Sequence, residues 1–378
     1  MIEGADRLKY IEDYYFFGKL VEIKSMIENG IPVINFGIGS PDLQPPDSAI
    51  LKIKQAFDDK NHGYQPYKGI NELRESFAEL YSGFFDVTLD PSTEILPLAG
   101  SKEGIMHISL AFLNKGDKVL IPDPGYLTYH ATAKIVEAEP VFYDLNEENN
   151  YKCPVSELEK MDLSGVKLMW VNYPHMPTGA IVDAEYFKEL SEFGERNNIL
   201  IVNDNAYGLI GNHSPLSILN YKNDYVLELN SLSKSFNIAG WRIGMVGGAE
   251  YLIKKILKIK SNFDSGTNYS IQKGAIEAVT HGQKWISNLN DIYNERRKLL
   301  NVLISKIGLE PKGNDSGLFV WAKVNDSDKN GEMVCDDLLY QNNIFAVPGQ
   351  VFGKSGDKYI RFSLCLPKEK IIEAIERF

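Results

Sequence analysis

The sequence predicts an α/β fold with a mainly parallel, seven-stranded sheet covered by helices. Seven short apolar runs recur in the middle of the chain, and amphipathic stretches of helical length lie between most of them. The runs are almost continuously apolar, as strands are when helices bury both faces of a parallel sheet. The predicted strands are Ile95–Leu98, Val119–Pro122, Val141–Leu145, Leu168–Val171, Ile199–Val202, Tyr225–Leu229 and Ile243–Val246.

The helices between these strands follow from apolar side chains that recur about once per helical turn. The clearest are Ser101–Leu113, Gly125–Val136 and Ala184–Arg196. The C-terminal part differs, because long helical segments come first and strand-like runs follow. Its predicted elements are the helices Ser270–Thr280, Ile286–Lys306 and Lys368–Arg377 and the strands Leu318–Val324 and Tyr359–Leu364. This order is typical of a smaller α+β domain.

We therefore divide the chain into three parts. Residues 1–45 form an N-terminal segment, residues 46–270 a large domain built on the sheet, and residues 271–378 a small C-terminal domain. The N-terminal segment is too short to bury a core alone. We expect it to pack on the small domain or on a partner subunit.

Composition excludes several classes of function. The net charge of -11 and the lack of a basic run argue against binding to nucleic acid. The three cysteines, Cys153, Cys335 and Cys365, lie far apart and offer no metal framework. Residues 1–9 do not resemble a secretory signal, and no apolar run is long enough to cross a membrane. We expect a cytoplasmic protein.

The segment from Asn230 to Gly244 carries the strongest chemical signal. Lys234 has serines close before it and Arg242 eight residues after it, and glycines frame that arginine. A buried lysine with a lowered pKa can attack a carbonyl group, and serines with an arginine can bind a phosphate. The alternative is a surface lysine in a serine-rich turn.

This segment resembles the lysine signature of the class I and II aminotransferases, the fold type I enzymes that use pyridoxal 5'-phosphate (PLP). The resemblance covers nearly the whole chain and implies the PLP-transferase fold, with helices on both faces of the sheet and a small domain built from the two chain ends. It also implies that Lys234 binds the cofactor covalently. Ser231, Ser233 and Arg242 are then contacts to the cofactor phosphate.

Further segments match the same family in the same order. In Asn203-Asp204-Asn205-Ala206-Tyr207, the resemblance implies that Asp204 stabilises the protonated pyridine nitrogen and that Tyr207 donates to the phenolic oxygen of the cofactor. Taken alone, Asp204 is an ordinary residue at a strand end. Gly100, Ser101 and Lys102 open a helix whose N-terminus suits the phosphate.

Two tyrosines complete the cofactor site that the resemblance implies. Tyr126, in Asp123-Pro124-Gly125-Tyr126, matches the aromatic residue that stacks on the pyridine ring. Tyr64 lies in a segment that reaches the neighbouring subunit in the family and contacts the partner's phosphate. The resemblance therefore implies active sites that are shared within a homodimer. The alternative for Tyr64 is a loop residue packed on its own domain.

The substrate side is expected to hold the α-carboxylate that amino acids and 2-oxo acids share. Arg361 lies among apolar neighbours in a predicted strand and matches the family's carboxylate-binding arginine, whose fork suits a carboxylate. By the same resemblance Gly39 lets the backbone approach the substrate, and Asn172 lies near both cofactor and substrate. Tyr15 would face substrate, as would Lys102, which favours a distal carboxylate.

One position departs from the family pattern. The family has a second asparagine, a donor to the phenolic oxygen, where this chain has Met176. Either Tyr207 makes that contact alone, or His175 or Asn172 shifts to help, and Met176 itself fills space beside the ring. Without the asparagine donor, we expect the linkage between Lys234 and the cofactor to lose its proton at a higher pH than in relatives. Other segments, among them Tyr15-Phe16-Phe17, resemble the branch of the LL-diaminopimelate aminotransferases, which includes several specificities.

The prediction is an aminotransferase that moves an amino group between an amino acid and a 2-oxo acid in two half-reactions. The first alternative is another reaction on the same fold, such as that of a β-lyase, a ring-forming synthase or a decarboxylase. A second is a PLP-binding regulator without catalysis, although we expect too few residues before the core for a DNA-binding module. A nucleotide-binding Rossmann enzyme is excluded, because no Gly-x-Gly-x-x-Gly turn follows the first strand.

Overall fold

The computed structural model describes residues 2–11, 15–59, 61–313 and 316–378. The strands in chain order are β1 (Ile34–Asn35), β2 (Ile95–Leu98), β3 (Lys118–Asp123), β4 (Glu139–Asp144), β5 (Val166–Val171), β6 (Leu200–Asn205), β7 (Val226–Ser231), β8 (Gly244–Gly248), β9 (Leu309–Lys312), β10 (Phe319–Val324), β11 (Ile344–Phe345), β12 (Val347–Pro348) and β13 (Tyr359–Ser363). The α-helices are α1 (Tyr15–Glu28), α2 (Asp47–Asp58), α3 (Asn71–Phe85), α4 (Ser101–Phe112), α5 (Leu127–Ile135), α6 (Val155–Leu158), α7 (Ala184–Asn197), α8 (Leu232–Ser235), α9 (Glu250–Lys260), α10 (Tyr269–Thr280), α11 (Gly282–Lys306), α12 (Gly331–Asn342) and α13 (Lys368–Glu376).

The large sheet has seven strands in the order β2-β8-β7-β6-β5-β3-β4. The pairs among β3 to β7 are parallel, while β8 is antiparallel to both of its neighbours. The prediction of a mainly parallel, seven-stranded sheet is confirmed. Because the parallel strands end at one edge, the polar residues that follow them meet there, which is where open α/β sheets bind ligands.

The ends of two central strands are polar, and they extend further than the apolar pattern predicts. The strand β6 continues through Asn203, Asp204 and Asn205, all of which are buried. Buried amides are tolerated when they are hydrogen-bonded, and both asparagines donate to Glu228 on the neighbouring strand β7.

A separate four-stranded sheet, in the order β12-β13-β10-β9, forms the second sheet of the molecule. The N-terminal segment joins the C-terminal part directly, since β1 pairs in parallel with β11. The helix α12 was not predicted. At the N-terminus of this helix, the side chain of Asn330 accepts a hydrogen bond from the backbone of Met333. At the C-terminus, Asn343 caps the helix in the left-handed conformation.

None of the helices in the described ranges could span a bilayer. The domain boundaries at residues 45 and 270 remain predictions.

Candidate active site

A cavity of about 390 Å³ lies at the carboxyl edge of the large sheet. It is bounded by residues from the large sheet, from the N-terminal segment and from the C-terminal sheet. Eight of the predicted site residues line it, namely Gly39, Ser101, Tyr126, Asn172, Asp204, Tyr207, Lys234 and Arg361. The structure therefore brings together groups that lie up to 322 positions apart in the chain, as Gly39 and Arg361 do.

Lys234 is held in the short helix α8, directly after β7. The side chain of Ser231 caps this helix by accepting a hydrogen bond from the backbone of Ser233. The Lys234 Nζ donates to the carbonyl oxygen of Gly39 at 2.6 Å. Burial lowers the pKa of Lys234, and the charges of two nearby arginines lower it further. A lysine in this setting has a larger neutral fraction than a surface lysine, so it can act as a base or a nucleophile.

Asp204 presents a carboxylate oxygen to the cavity. Its Oδ2 accepts a hydrogen bond from the Tyr129 hydroxyl at 2.9 Å, whereas its buried Oδ1 has no hydrogen-bond partner among the described residues. Burial raises the pKa of Asp204 to about 6, although the Tyr129 hydrogen bond opposes this rise. A buried acceptor without a partner is costly. A protonated ring nitrogen at this position would satisfy it.

The start of α4 forms an anion-binding corner together with Arg242. Gly100 has a φ of +83°, and a Cβ atom there would lie 2.2 Å from Arg242 Nη2, so the guanidinium packs directly on this glycine. Arg242 donates to the carbonyl oxygens of Ala239 at 2.9 Å and Ala99 at 3.2 Å. The helix N-terminus at Ser101 and the guanidinium together suit a phosphate group. Ser231 and Ser233 are buried and do not line the cavity.

Arg361 is fixed between two aromatic rings. Its guanidinium carbon lies 4.0 Å from the ring centre of Phe319 and 4.7 Å from that of Phe352. Its Nη2 donates to the Gly37 carbonyl oxygen at 2.8 Å, and its Nη1 lies 3.5 Å from the sulfur of Met176. Only 5% of Arg361 is exposed, so the fork is oriented in advance for a carboxylate.

The other predicted cofactor contacts, Asn172, Tyr207 and Tyr126, line the cavity and are held in place by neighbouring residues. The Asn172 side chain bridges two backbone groups, since its Nδ2 donates to the Asp204 carbonyl and its Oδ1 accepts from the Met176 amide. Tyr207 lies edge-on to Phe319 at 6.0 Å, and burial raises the pKa of its hydroxyl. Tyr126 packs edge-on against Tyr129 at 5.6 Å.

Seven predicted residues do not line this cavity, namely Gly100, Arg242, Ser231 and Ser233, which lie around the start of α4 and α8, and Tyr15, Lys102 and Tyr64. Tyr15 and Lys102 line an adjoining cavity of about 550 Å³, which shares Leu127 with the first. The pKa of Lys102 is lowered by burial and by the charge of Arg242. Tyr64 is 93% exposed. The side chains of Phe16 and Phe17 lie outside the described residues.

The sequence suggested His175 only as a substitute donor to the phenolic oxygen, and it did not predict Tyr129, Phe319 or Phe352 as neighbours of the site. His175 Nε2 donates to the Pro124 carbonyl oxygen at 3.1 Å and its Nδ1 accepts from the Thr178 hydroxyl at 2.8 Å, because a carbonyl can only accept. Burial lowers the pKa of His175 to about 3. This histidine joins the loop after β5 to the turn before Tyr126. The only sequence signal for it was its place beside Met176 in the segment that departs from the family pattern.

Comparisons with known proteins agree over the whole chain. The family model for aminotransferase class I and II matches residues 31–378. An LL-diaminopimelate aminotransferase from Aquifex aeolicus is 38% identical over 100% of this chain and 98% of its own length. One from Halothermothrix orenii is 37% identical over 100% and 98%. The substrate-bound structure of BacF from Bacillus subtilis is 30% identical, with a TM-score of 0.94 over 100% of this chain and 97% of that one.

Proposed function

This chain belongs to the class I and II aminotransferases, enzymes that use PLP, and on that premise we propose that the cavity around Lys234, Asp204 and Arg361 is its active site. The protein is a PLP-dependent transaminase, which moves an amino group from an amino acid to a 2-oxo acid. One observation supports the site most strongly. A partly buried lysine, a buried arginine and a buried carboxylate oxygen that has no hydrogen-bond partner among the described residues all belong to groups lining one cavity.

These residues fit PLP group by group. The start of α4 with Arg242 would hold the phosphate, and Asp204 Oδ1 would accept a hydrogen bond from the ring nitrogen. Tyr126 would cover one face of the ring, and Tyr207 would donate to the phenolic oxygen. When bound, PLP supplies an aldehyde that takes up the amino group and a ring that withdraws electrons from the substrate α-carbon.

The chain itself contributes binding and proton transfer. Arg361 binds the substrate carboxylate through its two Nη groups and orients the α-carbon. The Lys234 amine takes the α-proton as general base and later returns a proton as general acid, which its lowered pKa favours. Asp204 stays ionised beside the ring nitrogen, while the Tyr129 hydrogen bond fixes its orientation. Both half-reactions use the same clamp, because donor and acceptor carry the same carboxylate.

We also propose LL-diaminopimelate as the first amino donor to test, since the relatives at 38% and 37% identity are named for it. The adjoining cavity supports this choice. Lys102 and Glu332 place a cation and an anion on its wall, and the far end of this donor carries both a carboxylate and an ammonium group.

The site is further proposed to be completed within a homodimer. Tyr64 is 93% exposed and Tyr67 45% exposed in the isolated chain, which is unusual for such large side chains unless a partner covers them. Sedimentation should show a dimer. Tyr64→Phe should keep the dimer but weaken PLP binding about fivefold, the effect of one lost hydrogen bond, whereas Tyr67→Phe should not. A monomer, or equal PLP affinity in both variants, would contradict this assignment.

The proposed function is tested by product analysis. Purified protein with PLP, LL-diaminopimelate and 2-oxoglutarate should form glutamate, and Lys234→Ala should abolish its formation. Lys260→Met is a matched control, because Lys260 is buried and ion-paired with Asp264 but does not line the cavity. If no tested amino acid yields glutamate or another amino acid from a 2-oxo acid, a different reaction of the fold is favoured.

A further inference from the structure

Glu228 is a carboxylate at the centre of the large sheet that the proposed mechanism does not use. It lies on β7 and has no exposed surface. Its Oε1 accepts hydrogen bonds from the Tyr81 hydroxyl at 2.8 Å, the Ser217 hydroxyl at 2.8 Å and Asn205 Nδ2 at 3.2 Å. Its Oε2 accepts from Asn203 Nδ2 at 2.9 Å and from the backbone of Ile218 at 3.1 Å.

The five contacts suit an ionised group. Three of the donors, the amides of Asn203 and Asn205 and the Ile218 backbone, cannot accept a proton from a carboxylic acid. No cationic side chain in the described ranges forms an ion pair with Glu228, so neutral donors alone stabilise the charge. Burial raises the pKa of Glu228 above its ordinary value, and the hydrogen bonds from Asn203, Ser217, Tyr81 and Asn205 oppose that rise.

The position of Glu228 relates it to Asp204. In the register of β6 against β7, Asn203 pairs with Glu228 and Asp204 with Leu229. Successive side chains of a strand point to opposite faces, so Asp204 points to the cavity while the two flanking asparagines point to Glu228. Both of these neighbours of Asp204 are therefore anchored to one carboxylate on the other face of the sheet. Asn203 also accepts from the Tyr173 backbone, which anchors the end of β5 as well.

We propose that Glu228 is a positioning residue for the ring nitrogen of the cofactor, which fixes Asp204 through Asn203 and Asn205 and adds a second negative charge that favours the protonated nitrogen. The inference rests on the proposed function of the cavity. The charge of Glu228 reaches Asp204, since it contributes, after burial, to the raised pKa of that carboxyl. The same negative charge stabilises a cationic ring nitrogen beside Asp204, because opposite charges attract.

The test compares two cofactors on the apoprotein, PLP and its 1-deaza analogue, in which a carbon replaces the ring nitrogen. Wild-type protein should bind PLP more tightly than the analogue. Glu228→Gln, which removes the charge but keeps the size, should lower this preference by roughly ten- to twentyfold, as expected for one unit charge about 10 Å away at an effective dielectric constant of about 20. Tyr81→Phe, which removes one donor and keeps the charge, should retain the preference.

Each outcome decides a separate claim. A role in folding alone would weaken the binding of both cofactors equally, so an unchanged preference in Glu228→Gln overturns the inference. If that variant does not fold, Asn205→Ala frees one anchor of Asp204 and should also lower the preference; an unchanged preference there overturns it too. Wild-type protein that binds neither cofactor would refute the proposed function itself. Equal binding of both by wild type would reject the role of Asp204 and this inference with it.

Discussion

The replacement Arg361→Lys most directly tests whether Arg361 binds the substrate carboxylate. Lysine keeps the positive charge but loses the planar fork and its fixed position between Phe319 and Phe352. Removing one partner of a buried, hydrogen-bonded charge pair costs about 2–5 kcal/mol. The value of kcat/KM should therefore fall by about 30-fold to several thousand-fold in both half-reactions.

The assay should compare an amino acid with the amine that lacks its α-carboxylate. Wild-type enzyme should prefer the amino acid strongly, and Arg361→Lys should lose most of that preference because the amine never used the clamp. Arg296→Lys is a matched control, since Arg296 is equally buried but pairs with Asp42 and does not line the cavity. The reasoning is refuted if Arg361→Lys lowers the rates for the amino acid and the amine by the same factor.

Two further predictions concern the segment that departs from the family pattern. Met176→Asn should add a donor to the phenolic oxygen and lower the pKa of the linkage between Lys234 and the cofactor by about 1–2 units, since a hydrogen bond to a charged group contributes about 1.5–3 kcal/mol. A pH titration of the cofactor absorbance measures this pKa. An unchanged or raised pKa would contradict the prediction. His175 has a folded-state pKa of about 3, below its ordinary value near 6.5, so the stability it contributes is complete above pH 6.5 and is lost as the pH falls toward 3. When the pH is lowered from 7.5 to 5, the free energy of unfolding should therefore fall by about 2 kcal/mol less in His175→Gln than in wild type. Urea titrations at both pH values measure this difference. The same fall in both proteins would contradict the prediction.

The seven strands of the large sheet could be predicted because each is an apolar run of ordinary strand length. The residues at which these strands end were harder to predict. The strands β6 and β7 extend into polar residues that are stabilised across the sheet, and no local pattern in Ile199–Val202 shows that Glu228 will accept from Asn203. A charged residue inside the apolar run of β7 was the available signal. The spacing of Val334 and Leu338 could have predicted α12, yet its opening glycine weakens the pattern.

The site divides in a similar way. Groups at the carboxyl end of a strand, such as Asp204 in β6, could be located because the fold places strand ends at one edge. Phe319 and Phe352 could not, since Phe319 reaches Arg361 only through the pairing of β10 with β13, and Phe352 only through the turn that follows β12. Tyr129 lies in the first turn of α5, just after its N-cap residue Tyr126, but its hydrogen bond to Asp204 depends on how α5 packs on the sheet.

The attachment of PLP at Lys234 is the central claim, and reductive trapping measures it. Protein saturated with PLP should be treated with borohydride, digested and mapped by mass spectrometry. One cofactor per chain should be found, on the peptide that contains Lys234, because this lysine lines the cavity and burial lowers its pKa. A protein without a trapped cofactor, or one modified chiefly at Lys102, would contradict the account.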